Sequence, residues 1–270
     1  MSITPSMPAI SKIRRRQILG MVGEGKRVDG RGLLDYRRLE IEVGSIEKAE
    51  GSAFVKLGKT KVLVGVKIEE GTPYEDSPNE GVLMVNAELV PLASPTFEPG
   101  PPDENAIELA RVVDRGIRES KAIDLEKLCI EPGKRVFIVF VDIYVLDHDG
   151  NLIDASGIAS LAALVNAKAP EVPGFEYSWD SAPKLPIREY PIPTTFAKLG
   201  NAIVMDPCLE EEQIMSARLT ITTTSKGDIC AMQKGGVGTF SVEDVLFMVS
   251  LARERGAEIR KKVLEAAGVG

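Results

Sequence analysis

Arg135-Val-Phe-Ile-Val-Phe-Val-Asp-Ile-Tyr-Val-Leu146 is a nearly unbroken run of β-branched and aromatic residues, and its reading decides how the chain folds. Apolar side chains in such close succession do not suit a half-wet strand, so the run predicts a central strand covered on both faces. Asp147-His-Asp-Gly-Asn151 follows it, a polar turn in which Gly150 and Asn151 tolerate positive φ and reverse the chain. Beyond the turn, Ile153, Ala155, Ile158, Ala159, Leu161, Ala162 and Val165 make an apolar band with small residues in it. That band predicts a helix able to approach a sheet closely.

Upstream of this unit, Ser11 stands as N-cap of a short helix holding Arg14, Arg15 and Arg16, and Gly23 and Gly25 end it. The arginines suit RNA or an acidic protein, although a solvated helix face is the commoner meaning of such a cluster. Arg27-Val-Asp-Gly-Arg31 reads as an extended arm. Strands follow at 39–43, 51–57, 61–69 and 82–90, and their close spacing predicts an antiparallel meander. Gly58-Lys-Thr60 is not a phosphate loop, because Ala53 stands where that motif needs glycine and a strand follows where it needs a helix. Residues 91–103 carry five prolines and form a loop.

Asp103 then caps a helix over 104–121, with Ile107, Ala110, Val113 and Ile117 as its apolar stripe. Arg111, Arg115 and Arg118 recur at i, i+4 and i+7 on that helix, a row of guanidinium groups suited to successive phosphates of a nucleic acid. Glu108, Asp114 and Glu119 sit at pairing distance from them. Surface ion pairs worth about 0.3–0.5 kcal/mol each explain the same charges, so the residues alone leave both readings open.

Residues 170–186 are proline-rich, hold the single tryptophan, Trp179, and mark a seam between two halves. The resulting division is an N-terminal helix and arm over 1–30, a first half over 31–169, the seam over 170–186, and a second half over 187–270. In the second half, strands are expected near 194–198, 202–206, 217–224 and 228–233, with Lys226-Gly-Asp228 as a hairpin turn. Asp206 with Glu210, Glu211 and Glu212 offers hard oxygen ligands for a divalent metal, although unpaired surface acids are the commoner cause of such a cluster. Gly235-Gly-Val-Gly238 leads into a helix capped by Ser241 with Asp244 at the third position. Glycines there either cradle a phosphate at the helix start or let the chain turn into the helix, the second being the commoner use. Helices packed on mainly antiparallel sheets make this an α+β fold.

Composition narrows the function. A chain of 270 residues with 44% hydrophobic content supports a large core. No apolar run approaches the roughly 20 residues of a membrane span, and residues 1–10 lack the pattern of a signal peptide, so a cytoplasmic location is expected. Cys129, Cys208 and Cys230 have no metal-site spacing, and His148 is the single histidine. Any histidine-activated nucleophile would have to use His148, in a turn where histidine is expected to face solvent. The net charge of −7 opposes whole-surface attraction to nucleic acid, so contact with RNA requires a local basic patch.

Five segments together resemble the RNase PH family, and within it the non-catalytic ring subunits of the archaeal exosome. They are Arg27-Val-Asp-Gly-Arg31, Glu108-Leu-Ala-Arg-Val-Val-Asp-Arg115, Val145-Leu-Asp-His-Asp-Gly150, Asp154-Ala-Ser-Gly-Ile-Ala-Ser-Leu-Ala-Ala163 and Ala202-Ile-Val-Met-Asp206. The resemblance runs nearly the whole chain. It implies a ribosomal-protein-S5-domain-2-like fold and an alternating hexameric ring with a catalytic RNase PH-like partner, RNA-binding cap proteins and a channel for single-stranded RNA. It also implies that inorganic phosphate and Mg²⁺ belong to the partner's active site, with no cofactor on this chain. In catalytic relatives, Ser or Thr and then Arg or Ser follow the glycine at Gly150 and grip phosphate; here Asn151 and Leu152 stand there. Leucine offers no donor to an anion. The family's acidic positions fall on Asp206 and Glu212, and a further acid is replaced near Arg218. Asn151, Leu152, Asp206 and Glu212 are thus expected to be vestigial, with Arg111, Arg115 and Arg118 as RNA ligands. The rival reading is an independently active phosphate-dependent exoribonuclease using Asp206 and Glu212. A different enzyme on the same fold, such as a small-molecule kinase, lacks an adequate ATP signature here. A ribosome-type RNA-binding protein would be a basic chain, and this one is acidic.

Overall fold

The computed structural model describes residues 10–170, 176 and 183–269. The proline-rich seam with Trp179 lies mostly outside the described residues. In the first half, α1 (Lys12–Gly23) precedes β1 (Leu39–Val43), β2 (Gly51–Leu57), β3 (Thr60–Gly71), β4 (Val82–Leu89), α2 (Glu104–Glu119), β5 (Cys129–Glu131), β6 (Arg135–Asp147) and α3 (Leu152–Asn166). The second half contributes β7 (Ile192–Leu199), β8 (Ala202–Met205), α4 (Leu209–Glu212), β9 (Ala217–Thr223), β10 (Ile229–Gly235) and α5 (Val242–Ala266).

One sheet has the order β1-β2-β3-β6-β4, with β5 paired to β6, and the other runs β10-β9-β7-β8. The expected meander holds for β1 to β3. However, β4 pairs with the far edge of β6 and runs parallel to it, Val82 opposite Ile138 and Leu89 opposite Val145. The segment holding α2 forms the long connection that a parallel pair requires. Every other strand pair is antiparallel.

β6 is central, as expected, but it is not buried on both faces. Val139, Val141, Ile143 and Val145 are fully buried, whereas Tyr144 is 36% exposed and Ile138, Phe140 and Asp142 are half-buried. Alternation along a strand sends these two sets to opposite faces, and only the first meets the helices. Nearly every side chain of α3 is buried, because the helix lies between the two sheets, against β2 and β3 on one side and β7 on the other. Its small residues permit this, and a Cβ on Gly157 would come within 2.5 Å of the Pro193 ring. The outer face of the second sheet packs Phe196, Leu219 and Ile221 against Met248 and Ala252 of α5. Ile18 and Val22 of α1 pack with Ala197, Leu199 and Val204.

The caps form where the sequence places them. Ser11 accepts from the Arg14 amide at 3.1 Å, Asp103 from the Ala106 amide at 2.8 Å, and Ser241 and Asp244 close a reciprocal capping box. On α2 the buried stripe includes Leu109, Ala110, Val113 and Ile117. Ile107 is 49% exposed and does not belong to it. Gly236 and Gly238 allow a close approach, since a Cβ on either would lie under 3 Å from the Ser216 carbonyl oxygen.

Candidate functional site: a saturated aspartate and an open arginine face

The turn after β6 is built from two left-handed residues, Gly150 (φ 86°) and Asn151 (φ 54°). Gly150 is required by space as well as by backbone, because its Cβ would lie 2.5 Å from the Cys208 carbonyl carbon and the Leu209 nitrogen. The turn thereby presses against the start of α4, and Asn151, Asp206 and Glu212 converge. Asn151 donates through Nδ2 to Asp206 Oδ1 at 2.7 Å and to Asp154 Oδ2 at 2.8 Å. Its backbone N–H donates to Glu212 Oε1 at 2.8 Å. Leu152 lines the adjoining cavity. These four sequence-selected residues therefore do form one site.

Asp206 is fully buried, and its carboxylate is saturated. Oδ1 accepts from Arg37 Nη2 at 2.7 Å and from Asn151. Oδ2 accepts from Arg31 Nη1, the Arg37 amide and Arg37 Nε, each at 2.9 Å. Five donors on two oxygens, two of the donating groups being guanidinium ions, leave neither lone pairs nor uncompensated charge for a hard divalent cation. The donor set does not fit Mg²⁺ at Asp206. Among the described residues, no group of three or more His, Cys, Asp or Glu is arranged to hold a metal.

The acidic cluster is likewise not a set of unpaired surface acids. Glu211 is fully buried against Arg27, at 2.5 Å from Nη2 and 2.8 Å from Nε. Arg27 also donates to the Met205 and Asp206 carbonyls, each at 2.8 Å. Glu210 holds Arg14 at 2.7 Å. The segment read as an extended arm is therefore a buried ionic clip, in which Arg27, Arg31 and Arg37 bind the first part of the chain to the second half. Burial would lower the Arg37 pKa, but the hydrogen bond and charge of Asp206 override it and raise it.

Burial raises two neighbouring acids. Asp154 is pushed to about 6 despite hydrogen bonds from Asn151 and Thr195, and Glu212 to about 7 despite the Asn151 amide and the charges of Arg218 and Arg37. His148 is not a solvent-facing turn residue. Its ring stacks on Phe97 with centroids 5.4 Å apart, and burial, helped by Arg37, lowers its pKa to about 4. Neutral at physiological pH, it has no serine or cysteine hydrogen-bonded to it among the described residues, so no histidine-activated nucleophile is assembled.

The three arginines of α2 line a different groove, with Val85, Ala110, Asp114 and Glu119. Arg118 is engaged, pairing with Asp114 at 2.7 Å and donating to the Leu83 carbonyl at 3.1 Å. The other ion pairs suggested by spacing do not form, since Glu108 instead holds Arg218 at 2.7 Å. Arg111 and Arg115 are exposed, and neither has a hydrogen bond or ion pair among the described residues. The row thus presents two free guanidinium groups beside one that is committed.

The chain matches the 3′ exoribonuclease family, domain 1 over residues 35–170 and domain 2 over residues 189–255. It belongs to that family, RNase PH. A curated relative, the exosome complex component Rrp42 of Thermococcus kodakarensis, is 58% identical over 267 residues, covering 97% of this chain and 98% of that one. A solved structure described as the Archaeoglobus fulgidus exosome with RNA bound to the active site superposes with a TM-score of 0.86 at 50% identity, covering 93% of this chain and 97% of that one. An archaeal exosome core superposes with a TM-score of 0.82 at 46% identity over 93% of this chain and 96% of that one. The RNase PH fold read from the motifs is thus the fold observed. Sequence reading missed Arg27, Arg31 and Arg37 as a unit, although Arg27 and Arg31 lie within one of the family motifs; what it lacked was their pairing with residues far along the chain.

Proposed function

We propose that this chain is a non-catalytic ring subunit of a 3′-to-5′ phosphorolytic, RNA-degrading exosome in the archaeal cytoplasm. It alternates with a catalytic RNase PH-like partner in a hexamer, completes the partner's active-site interface, and holds single-stranded RNA by its phosphates. Cap proteins that bind RNA associate with the ring. Phosphate and Mg²⁺ act in the partner's site.

The observation that carries this reading is the saturated Asp206 carboxylate beside Leu152. Phosphorolysis needs an attacking phosphate oriented and its charge compensated in the transition state, and positioning with electrostatic stabilisation supplies most phosphoryl-transfer catalysis. The Leu152 side chain contributes no donor to phosphate, and Asp206 is locked by five donors. The same geometry counts against the rival in which Asp206 and Glu212 hold Mg²⁺ for an independent activity. Similarity along 97% of the chain to an exosome component, at 58% identity, supports ring membership. The free Arg111 and Arg115 support a sequence-tolerant, salt-sensitive grip on an RNA backbone.

The test is release of nucleoside diphosphates from RNA with inorganic phosphate and Mg²⁺. The chain alone is expected to release none, and the chain mixed with its catalytic partner to be active. Activity from the chain alone would overturn the reading.

A further inference from the structure

The first helix carries charges that its own fold does not use. Lys12, Arg14, Arg15 and Arg16 fall within the first five residues of α1, where the helix dipole presents positive potential and disfavours cations. No acid stands in the first turn. The segment before the helix supplies none either, because Glu24 is the first acidic residue of the whole chain. Lys12 lies one helical turn from both Arg15 and Arg16, spacings at which like charges repel.

Two sets of contacts fix the roll of the helix. Ile18 and Val22 are buried with Ala197, Leu199 and Val204 of the second sheet. Arg14 is gripped by Glu210, Nη2 to Oε2 at 2.7 Å and Nε to Oε1 at 3.0 Å. Arg14 is thereby compensated. Lys12, Arg15 and Arg16 are left exposed, and none has a side-chain hydrogen bond or an ion pair among the described residues. Three cations crowded at the wrong end of a helix weaken the element that bears them, and a local conflict with no structural gain marks a surface kept for a ligand. A polyanion removes the conflict.

The chemistry of the face selects among polyanions. Two adjacent guanidinium forks match phosphate oxygens bidentately, and Lys12 adds a point charge. A protein partner would need desolvated aromatic or apolar anchors. Ile13, 81% exposed, is the one large apolar side chain that α1 exposes, and the helix has no aromatic residue. Charge without anchors suits a phosphate backbone, whose binding is sequence-tolerant and carried by cations.

We propose that Lys12, Arg15 and Arg16 form a second contact for an RNA backbone. It is separate from the α2 row, since α1 sits on the second sheet while α2 packs beside β4 of the first. The inference rests on the RNA-binding reading of the ring, but not on Arg111 and Arg115.

Fluorescence anisotropy of a labelled oligouridylate on the assembled ring, without inorganic phosphate so that the RNA stays intact, tests it across a salt series. The triple variant Lys12→Gln, Arg15→Gln, Arg16→Gln is expected to bind several-fold more weakly, with its salt slope reduced by about 2, at about 0.7 per single-strand phosphate contact. Combined with Arg111→Ala and Arg115→Ala, the two losses are expected to add. The triple variant's own Tm should equal or exceed the parent's, because the repulsion goes with the charges; a lower Tm would show a structural role and overturn the proposal. Unchanged affinity and slope in the triple variant would overturn it too. Should the α2 double variant weaken binding in that same experiment, the RNA-binding reading stands and only this inference falls. Loss of binding to an oligoglutamate peptide with RNA binding kept would assign the face to an acidic protein, and so also overturn the proposal.

Discussion

Replacing Asp206 by Ala separates a structural from a catalytic aspartate. The carboxylate compensates Arg37, whose side chain is 6% exposed, and Arg31, whose side chain is 13% exposed. Removing one partner of a buried ion pair leaves the other charge uncompensated, at a cost of about 3–5 kcal/mol. For a chain of this size each kcal/mol moves the midpoint by about 2–4 °C, so the expected fall in Tm is about 6–20 °C. The clip should loosen with it, because Arg31 and Arg37 tie the segment before β1 to the second half. Thermal unfolding followed by circular dichroism measures the shift. The double variant Asp206→Ala with Arg37→Met is expected to recover part of the loss, since the stranded charge is then gone too. Phosphorolysis by a ring reassembled with the catalytic partner, at a temperature where the variant is folded, should keep its kcat. An unchanged Tm, or a large loss of kcat at unchanged stability, would refute the reasoning.

RNA binding by the assembled ring should weaken with Arg111→Ala and Arg115→Ala more than with Arg118→Ala, because Arg118 is already held by Asp114 and the Leu83 carbonyl. Filter binding across a salt series should show the double variant's slope reduced by about 1.4, at about 0.7 per single-strand phosphate contact. Stability should also depend on pH. Asp154 at about 6 and Glu212 at about 7 lie above the values of an unfolded chain, roughly 4 for both acids. Between those limits these two acids bind more protons folded than unfolded, so the stability they contribute is present near pH 4 and is lost as pH rises to 7. His148, held down at about 4, contributes with the opposite sign up to about pH 6.5 and makes the fall shallower. Urea midpoints across that range measure the slope, and Asp154→Asn should flatten part of it. Finally, Gly150→Ala combines a left-handed backbone with a Cβ 2.5 Å from Cys208 and should cost about 2–5 kcal/mol, whereas Gly133→Ala, with open space around it, should cost about 1–2 kcal/mol. Denaturant unfolding distinguishes the two.

The sequence by itself determined what depends on neighbours a few residues away. Ser11, Asp103 and Ser241 cap helices because the amides they accept from lie three residues on. The long apolar run became the central strand β6, the band after it became α3, and the five family motifs carried the RNase PH fold. Tertiary structure alone decided the partners of charge. Arg37 reaches Asp206 across 169 positions and Arg27 reaches Glu211 across 184. No local pattern encodes such a pairing, so a buried clip read as an arm and a cluster of surface acids. Sheet order was hidden for the same reason: β4 docks parallel on β6 only once α2 has carried the chain back. The α2 arginines show both limits together. Their spacing put them on one face, but the fold committed Arg118 to Asp114 and left Arg111 and Arg115 free, because which acid meets which base is settled by the surfaces that packing brings together.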